Sequence, residues 1–170
     1  DRTLSKMKFL PKVIEYDRYQ PEFYEDTKTY IGKRSSNQKL DKGLKFYEKN
    51  KRLIESVEKE FKIEKELLLA LMGIETNFGT SSLATLSFDQ RRSEFFTNEL
   101  ILLLKLIDSN QIDQTTLYGS WAGAFGYFQF MPSTITNYAI DHNEDKYIDL
   151  KNNEDAYPSA ANYLNQMGWK

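Results

Sequence analysis

Helical periodicity in a long segment of this 170-residue chain constrains the fold more than any other feature. Between residues 38 and 61, apolar side chains recur at spacings of three and four with charged residues between them, which is typical of an amphipathic helix. No segment of useful length alternates apolar and polar residues as a half-buried strand would. We therefore predict an all-α protein with a solvent-facing scaffold helix over 38–61. Its apolar stripe consists of Leu40, Leu44, Tyr47, Ile54, Val57 and Phe61.

Start and stop signals predict five further helices. Proline suits a first helical turn because its missing N–H has no partner there, and glycine suits the residue after a helix end. A Ser followed by a Glu is also favoured where a helix begins. The first of these helices begins at Pro21. The other four run over 64–79 with Gly79 as the C-cap, from Ser93 to Ile107, from Pro132 to about 140, and over 154–167.

Composition excludes several classes of function. The chain has no cysteine and one histidine, His142, so disulfide scaffolds, thiolate metal sites and multi-histidine zinc sites are excluded. Basic residues concentrate in 1–66, with a net charge of +4, whereas 67–170 carries −6. This asymmetry does not suit a nucleic-acid binder, whose basic patch should coincide with its site. No apolar run approaches the length of a membrane span.

One stretch of 27 residues, from Gln114 to Ile140, carries no charge. Aromatic residues and uncharged hydrogen-bonding groups on a glycine-rich backbone suit a neutral, ring-shaped ligand. The alternative is a buried loop whose aromatic side chains pack inward. The aromatic residues are Tyr118, Trp121, Phe125, Tyr127, Phe128 and Phe130, and the glycines are Gly119, Gly123 and Gly126.

Glu75 follows eight uncharged residues, and the next charge is Asp89. Burial among apolar side chains would raise the pKa of this carboxyl group and allow it to act as a general acid. The alternative is a glutamate at a helix end that reaches solvent or caps a neighbour. Glycoside cleavage usually needs two carboxylates, and no second acid is evident nearby. One glutamate suffices if the substrate supplies the second function, for example through an N-acetyl group.

Two segments carry a resemblance to a known family. Residues 70–79, Ala-Leu-Met-Gly-Ile-Glu-Thr-Asn-Phe-Gly, and residues 120–133, Ser-Trp-Ala-Gly-Ala-Phe-Gly-Tyr-Phe-Gln-Phe-Met-Pro-Ser, resemble the two signatures of the membrane-bound type B lytic murein transglycosylases. Shorter matches lie at 13–15, 20–23, 84–89, 91–92, 94–96, 161–164 and 168–169 in the same order. The resemblance therefore covers nearly the whole chain.

The resemblance implies a lysozyme-like helical domain with a groove for glycan strands. It implies cleavage of the β-1,4 bond between N-acetylmuramic acid and N-acetylglucosamine without water, because the muramyl C6 hydroxyl attacks C1 and leaves a 1,6-anhydro end. Glu75 would act first as acid and then as base. The alternatives are a hydrolytic muramidase and a non-catalytic peptidoglycan-binding or structural domain.

The resemblance also assigns substrate-binding residues. It implies that Ser120 and Gln129 line the cleft beside Glu75, with Asn77 and Tyr127 as further substrate contacts. It implies that Arg91 and Arg92 pair with carboxylates of the stem peptide. The alternative for this arginine pair is an ordinary surface contact with Asp89.

The same resemblance predicts the domain organisation. We expect one catalytic domain over 1–170, with an extra N-terminal helical segment over 1–62 and a lysozyme-like core over 63–170. Family members continue beyond this core with a segment that carries a Tyr-Asn motif, so we expect the core to be incomplete at its C-terminus. They also have a longer loop where residues 80–83 stand here, so either the loop is shorter or residues are missing from it.

An EF-hand-like loop is predicted between the last two helices. Oxygen ligands at its positions 1, 3, 5, 7 and 12 suit Ca²⁺. Lys146 replaces the usual glycine at position 6, and position 12 lacks the bidentate carboxylate, so the alternative is a polar turn held by Asx bonds. Structural calcium is the one cofactor that we expect, and the chemistry itself requires none. The five predicted ligands are Asp141, Asn143, Asp145, Tyr147 and Asn152.

The substrate implied by the resemblance predicts the cellular location. Peptidoglycan lies outside the cytoplasm, so we expect a protein of the bacterial periplasm or cell envelope, associated with the envelope. The expected partners are peptidoglycan glycan strands and no nucleic acid, and we expect a monomer.

Overall fold

The computed structural model describes residues 7–20, 24–34, 37–72, 79–113 and 119–169, and its regular structure there is helical. No strand forms within these ranges, where extended pairing is limited to two isolated bridges. The all-α, lysozyme-like prediction is confirmed. The helices are α1 (Pro11–Arg18), α2 (Thr27–Arg34), α3 (Asn37–Phe61), α4 (Lys65–Leu71), α5 (Gly79–Phe88), α6 (Ser93–Asp108), α7 (Pro132–Tyr138) and α8 (Asn153–Gln166).

The core lies where α5 packs on α6 and where α3 packs on α8 and α4. Helix α1 joins it by packing against α5, and α7 lies against α6 and α8. Each of these helices contributes an apolar side chain that is removed from water, which is the main favourable term in folding. The largest fully buried apolar side chains are Ile54, Val57, Ile63, Leu68, Leu83, Leu86, Phe96, Leu103, Ile135 and Tyr157.

Helix α3 confirms the long helix predicted over 38–61, but its two halves differ. The backbone departs from helical geometry at Asn50, whose side-chain amide donates to the Phe46 carbonyl at 2.9 Å. After this kink, Ile54 and Val57 are fully buried. Before it, Leu40 and Leu44 of the same predicted stripe are exposed. The apolar periodicity therefore predicted the helix correctly, but the start of its stripe, at Leu40 and Leu44, stays outside the core, which α3 joins from Phe46 onward.

Two predicted helix ends are wrong. Residues 24–26 are not helical, so the helix expected to begin at Pro21 begins instead at Thr27. There the Asp26 carboxylate accepts hydrogen bonds from the Thr29 N–H at 3.1 Å and its hydroxyl at 2.6 Å. Gly79 is not a C-cap, because it is the first residue of α5. The sequence did not predict α5, since residues 79–88 show little contrast between polar and apolar faces.

The start of α7 at Pro132 is confirmed, and it is fixed from another helix. Glu99 of α6 is buried and accepts hydrogen bonds from the Ser133 N–H at 2.8 Å and the Ser133 hydroxyl at 2.7 Å. A carboxylate at a helix N-terminus satisfies exposed N–H groups and interacts favourably with the helix dipole. This contact positions the segment that precedes α7.

Within the described ranges, none of the helices is both long enough and apolar enough to span a bilayer.

Candidate functional site

The aromatic loop, residues 119–131, precedes α7 and folds into a tight double turn. The Phe125 N–H donates to the Phe130 carbonyl and the Phe130 N–H donates to the Phe125 carbonyl, both at 2.8 Å. A second bridge joins Gly119 to Phe125. These bonds bury both phenylalanine side chains in the core. The loop is therefore a rigid part of the fold.

Ser120 holds the first turn of the aromatic loop. Its buried hydroxyl oxygen accepts hydrogen bonds from the Ala122 N–H at 3.2 Å and the Ala124 N–H at 3.1 Å. Its own N–H donates to the Ala124 carbonyl at 2.6 Å. A hydroxyl has two acceptor positions and one proton. A sugar contact by Ser120 would therefore use the hydroxyl proton, because the oxygen already serves the loop backbone.

Two glycines of the aromatic loop adopt left-handed backbone conformations, with φ of +83° at Gly123 and +75° at Gly126. A Cβ at Gly123 would lie 2.2 Å from Leu83 Cδ2 in α5, and one at Gly126 would lie 2.4 Å from Leu150 Cβ. Both positions therefore require glycine for its backbone conformation and for the close approach of a neighbour. The loop is thereby seated against α5 and against the segment that follows α7.

The remaining side chains of the aromatic loop are partly exposed. Trp121, Tyr127 and Phe128 keep some accessible surface. Gln129 has a φ of +54°, and its amide donates to the Gly126 carbonyl at 2.8 Å. Phe125 and Phe130 thus pack inward, as the buried-loop alternative expects, whereas the role of the partly exposed rings in binding a ligand stays a prediction. Tyr118 lies outside the described residues.

Glu75 and Asn77, the predicted catalytic acid and one predicted substrate contact, also lie outside the described residues. The chain before them is described up to Met72 at the end of α4. There the Tyr157 hydroxyl of α8 donates to the Met72 sulfur at 2.9 Å. The end of α4 is therefore held by α8, three residues before Glu75 in the sequence.

Tyr157 links α4 to the aromatic loop. Its ring is fully buried, meets the Phe128 ring edge-on at 5.1 Å and stacks on Phe46 of α3 at 5.9 Å. Burial raises the pKa of the Tyr157 phenol above its ordinary value, and the nearby Tyr127 raises it further. The phenol therefore stays protonated and can donate to Met72. Sequence reasoning missed Tyr157, although its apolar spacing with Ala160 and Ala161 in α8 indicates the buried face.

Arg91 and Arg92 lie between α5 and α6 and approach Asp17 of α1. Arg91 Nη1 lies 2.7 Å from Asp17 Oδ2 and also donates to the Asp17 carbonyl. Arg92 Nη1 lies 3.6 Å from Asp17 Oδ1. Asp89 pairs with Arg18 at 2.8 Å and accepts from the Arg91 backbone N–H. The two guanidinium groups therefore contact Asp17. They do not form the surface contact with Asp89 that the sequence offered as the alternative.

In the acidic loop, residues 141–152, three of the predicted calcium ligands accept hydrogen bonds from backbone N–H groups of the loop. Asp141 accepts from the Asp145 N–H at 3.1 Å and the Lys146 N–H at 2.7 Å. Asp145 accepts from the Tyr147 N–H at 2.9 Å, and Asn143 accepts from the Asp145 N–H at 3.1 Å. Lys146 has a φ of +76°, so it makes the left-handed turn for which the EF-hand pattern uses glycine.

Asp155 of α8 supports the acidic loop from beneath. It is fully buried and accepts hydrogen bonds from the backbone N–H groups of His142 at 3.0 Å, Asn143 at 3.3 Å and Asp149 at 3.0 Å. Burial raises the pKa of this carboxyl group, and the three hydrogen bonds oppose the increase. Sequence reasoning did not single out Asp155, because its partners lie in another element.

The donor set of the acidic loop consists of oxygen atoms, which are the ligands that Ca²⁺ prefers. Asn152, the predicted ligand at position 12, instead caps α8 by accepting from the Glu154 N–H at 3.1 Å. In the part of the chain that the structure describes, no three His, Cys, Asp or Glu side chains converge to hold a metal ion. The loop therefore fits calcium in chemistry but has fewer charged ligands than a strong site.

Comparison with known proteins gives consistent matches. The family model described as "Transglycosylase SLT domain" matches residues 1–170. Membrane-bound lytic murein transglycosylase B of Escherichia coli K12 is 35% identical over 139 residues, which cover 76% of this chain and 38% of that protein. The chain thus spans less than half of the curated relative.

Solved structures are similar over nearly the whole chain. SltB3 from Pseudomonas aeruginosa, in complexes with NAG-NAM-pentapeptide and with NAG-anhNAM-pentapeptide, is 32% identical with a TM-score of 0.90, covering 99% of this chain and 48% of that one. The Escherichia coli lytic transglycosylase Slt35 in complex with calcium is 31% identical with a TM-score of 0.84, covering 99% and 57%.

Proposed function

Because this chain belongs to the transglycosylase SLT domain family, we propose that it is a peptidoglycan lytic transglycosylase. It would cleave the β-1,4 bond between N-acetylmuramic acid and N-acetylglucosamine without water and leave 1,6-anhydromuramyl ends. The observation that carries this proposal is the similarity to SltB3, which has been solved with both NAG-NAM-pentapeptide and NAG-anhNAM-pentapeptide. The matching part of the chain includes both signature segments.

Glu75 is the proposed catalytic residue, acting twice. As a carboxylic acid it donates its proton to the glycosidic oxygen while the bond from that oxygen to the muramyl C1 breaks. As a carboxylate it then accepts the proton of the muramyl C6 hydroxyl while that oxygen bonds to C1. The glutamate ends in its starting protonation state and no water is consumed. This mechanism needs only one carboxylate, which agrees with the lack of an evident second acid near Glu75 in the sequence.

The aromatic loop is the proposed glycan-binding surface beside Glu75. Ser120, Gln129, Tyr127 and Asn77 would contact sugar hydroxyl and acetamide groups with uncharged donors and acceptors. The rigid backbone of the loop supports this role, since a site fixed before binding loses little conformational entropy when the ligand arrives. The Tyr157 contacts with Phe128 and Met72 support a location of this loop near the end of α4.

The catalytic proposal is tested with purified peptidoglycan sacculi, whose released products are identified by mass spectrometry. We expect the parent protein to release 1,6-anhydromuropeptides, and Glu75→Gln to lower the rate by about 10³-fold or more because the variant cannot transfer the proton. Glu64→Gln, which removes the same charge from an exposed position before α4, is the matched control. Circular dichroism checks that each variant keeps its helical fold.

Each alternative function has its own product pattern. A hydrolytic muramidase would release products that have gained water and carry no anhydro end. A non-catalytic binding domain would retain glycan strands while neither the parent nor Glu75→Gln releases products. Release by Glu75→Gln at the parent rate would contradict the assigned mechanism.

For the acidic loop, we propose weak binding of structural Ca²⁺. The oxygen donors and the left-handed turn at Lys146 support this, and the relative Slt35 has been solved in complex with calcium. The loop lacks the bidentate carboxylate of strong sites, so we expect a dissociation constant of about 10⁻⁴–10⁻³ M. The lyase chemistry itself needs no metal in this proposal, so a chelator should lower the melting temperature and leave turnover measurable.

Calorimetric titration with CaCl₂ tests the calcium proposal. We expect Lys146→Gly to bind more tightly than the parent, because it removes a positive charge and the strain of a positive φ. Asp141→Asn should weaken binding, since it removes a charged ligand. If neither heat nor a melting-temperature shift appears at about 10 mM Ca²⁺ for the parent and Lys146→Gly, the loop is a polar turn.

We also propose a periplasmic or envelope location and a monomeric state. The curated relative is described as membrane-bound, and peptidoglycan lies outside the cytoplasm. The expected partners are glycan strands. Cell fractionation checks the location, and sedimentation of the purified chain at the mass of one copy checks the monomer.

A further inference from the structure

One buried carboxylate in α1 contacts two arginines that lie 74 and 75 positions further along the chain. We call Asp17, Arg91 and Arg92 the arginine cluster. The Asp17 side chain is 5% exposed, whereas the Arg91 side chain is 48% and the Arg92 side chain 42% exposed. The cluster therefore has a buried anionic base and a cationic surface. With two guanidinium groups and one carboxylate, its net charge is positive.

The Asp17 contacts orient the Arg91 guanidinium. Arg91 uses Nη1 for both interactions, one with Asp17 Oδ2 at 2.7 Å and one with the Asp17 carbonyl. A guanidinium carries five N–H donors in a fixed plane, and the donors on Nε and Nη2 form a parallel pair. This pair matches the two oxygens of a carboxylate. Asp17 thus occupies one edge of the guanidinium and leaves the bidentate edge on the other side.

Arg92 is oriented by different contacts. Its guanidinium carbon lies 4.8 Å from the Phe95 ring centre and 5.0 Å from the Phe96 ring centre, within the range of cation–π attraction. Its Nη1 lies 3.6 Å from Asp17 Oδ1, a buried oxygen without a hydrogen-bond partner in the structure. The attraction to this oxygen and to the rings limits the positions that Arg92 can adopt.

The attachment of α1 does not depend on this carboxylate alone. Val13 is buried in the core, and the Leu10 N–H donates to the Thr85 hydroxyl of α5 at 3.0 Å. A purely structural ion pair would also need only one arginine. The second arginine and the large exposed fraction of both side chains point to a further role for the cluster.

We propose that Asp17 is a positioning residue that orients Arg91 and Arg92 to bind a carboxylate of the stem peptide. This inference rests on the proposed function, which makes peptide-bearing glycan the ligand. Asp17 itself does not contact the substrate. It fixes the two guanidinium groups, so they lose less conformational freedom when the carboxylate binds.

The test measures binding of two ligands, NAG-NAM-pentapeptide and NAG-NAM without peptide, by NMR titration in a Glu75→Gln background that prevents cleavage. We expect Asp17→Asn to weaken binding of the pentapeptide ligand about 10-fold, as for loss of a charge-assisted contact, and to leave peptide-free binding unchanged. Glu15→Gln, at an exposed position of the same helix, is the charge-matched control and should change neither.

A double-mutant cycle separates positioning from a general structural role. In an Arg91→Gln/Arg92→Gln background, Asp17→Asn should cause no further loss of pentapeptide affinity. Asp17→Glu keeps the carboxylate and should retain part of the pentapeptide affinity. If circular dichroism shows that Asp17→Asn does not fold, the affinity of Asp17→Glu is compared instead, with and without the two arginines.

Other outcomes overturn the inference. Equal losses for both ligands, or a full further loss in the background without the arginines, would make Asp17 a structural residue. Unchanged pentapeptide affinity in Asp17→Asn, or no pentapeptide binding by the parent, would remove the role altogether. The role of Asp17 is read from binding affinities, whereas the lyase activity is read from released products. A parent protein that releases no anhydro products would therefore refute the lyase activity, and the affinities would still decide the role of Asp17.

Discussion

The two loops that flank α7 satisfy their backbone groups in opposite ways. The aromatic loop has no charged side chain, so its N–H groups bond to backbone carbonyls, chiefly its own, and to the Ser120 hydroxyl. The acidic loop uses Asp141, Asp145 and the underlying Asp155 as acceptors for its N–H groups. A loop bonded through its backbone keeps its side chains for a ligand. A loop bonded through carboxylates must share those carboxylates with any cation.

The two loops also contact each other. The Tyr127 N–H donates to the Leu150 carbonyl at 3.0 Å, and Gly126 lies against Leu150. The comparison can therefore be tested in three places. These are the contact between the two loops, the hydrogen bonds that support the acidic loop, and the hydrogen bonds that support the aromatic loop.

The largest effect is expected from Gly126→Ala at the contact. The new Cβ would lie 2.4 Å from Leu150 Cβ and 2.6 Å from its carbonyl oxygen, in a backbone conformation with a φ of +75°. We expect the free energy of unfolding to fall by about 3 kcal/mol or more, because both loops must shift. Urea denaturation measures this.

Gly43→Ala in α3 is the control for Gly126→Ala, because its Cβ would meet nothing within 4 Å. We expect it to stabilise the protein by about 0.5–1 kcal/mol through helix propensity. Equal effects of the two substitutions would show that the loops do not need this close approach.

Asp155→Ala should remove the support of the acidic loop alone. Three backbone N–H groups lose their acceptor, and we expect a loss of about 2–4 kcal/mol in unfolding free energy. Affinity for glycan should change little, because the aromatic loop keeps its own hydrogen bonds. Asp145→Ala, at an exposed position of the same loop, should cost less. A large loss of glycan affinity in Asp155→Ala would mean that the two loops are not independent.

Ser120→Ala should have the smallest effect on stability but a direct effect on binding. Two N–H groups lose the hydroxyl oxygen, for an expected cost of about 1–2 kcal/mol. Glycan affinity should fall as well, since the proposed sugar contact uses the lost proton. Ser109→Ala, at the exposed end of α6, is the control for both measurements. Unchanged glycan affinity would leave Ser120 with a backbone role only.

Sequence reasoning succeeded where information is local. The spacing of apolar residues predicted α3, the Ser-Glu start signal at Ser93 predicted α6, and Pro132 predicted the start of α7. It failed for α5, whose residues 79–88 carry no charge to mark a solvent face. The motifs named Ser120, Gln129 and the arginine pair as candidate substrate contacts, but these roles stay predictions, as does that of Glu75.

The supporting residues of the candidate site were not predictable in the same way. Asp17 meets Arg91 across 74 positions, and Tyr157 meets Met72 across 85. No local periodicity encodes contacts at such separations, because they depend on how complete helices pack. An alignment of related sequences, or the folded structure, is needed to find them.

The buried Tyr157 ring has an evolutionary consequence. It is shared by α3 through Phe46, by the aromatic loop through Phe128 and by the end of α4 through Met72. A substitution at any one of these three neighbours changes the surroundings of the same ring, so the effect of a second substitution depends on the first. Epistasis should therefore concentrate around this ring, and viable replacements there should occur in compensating sets.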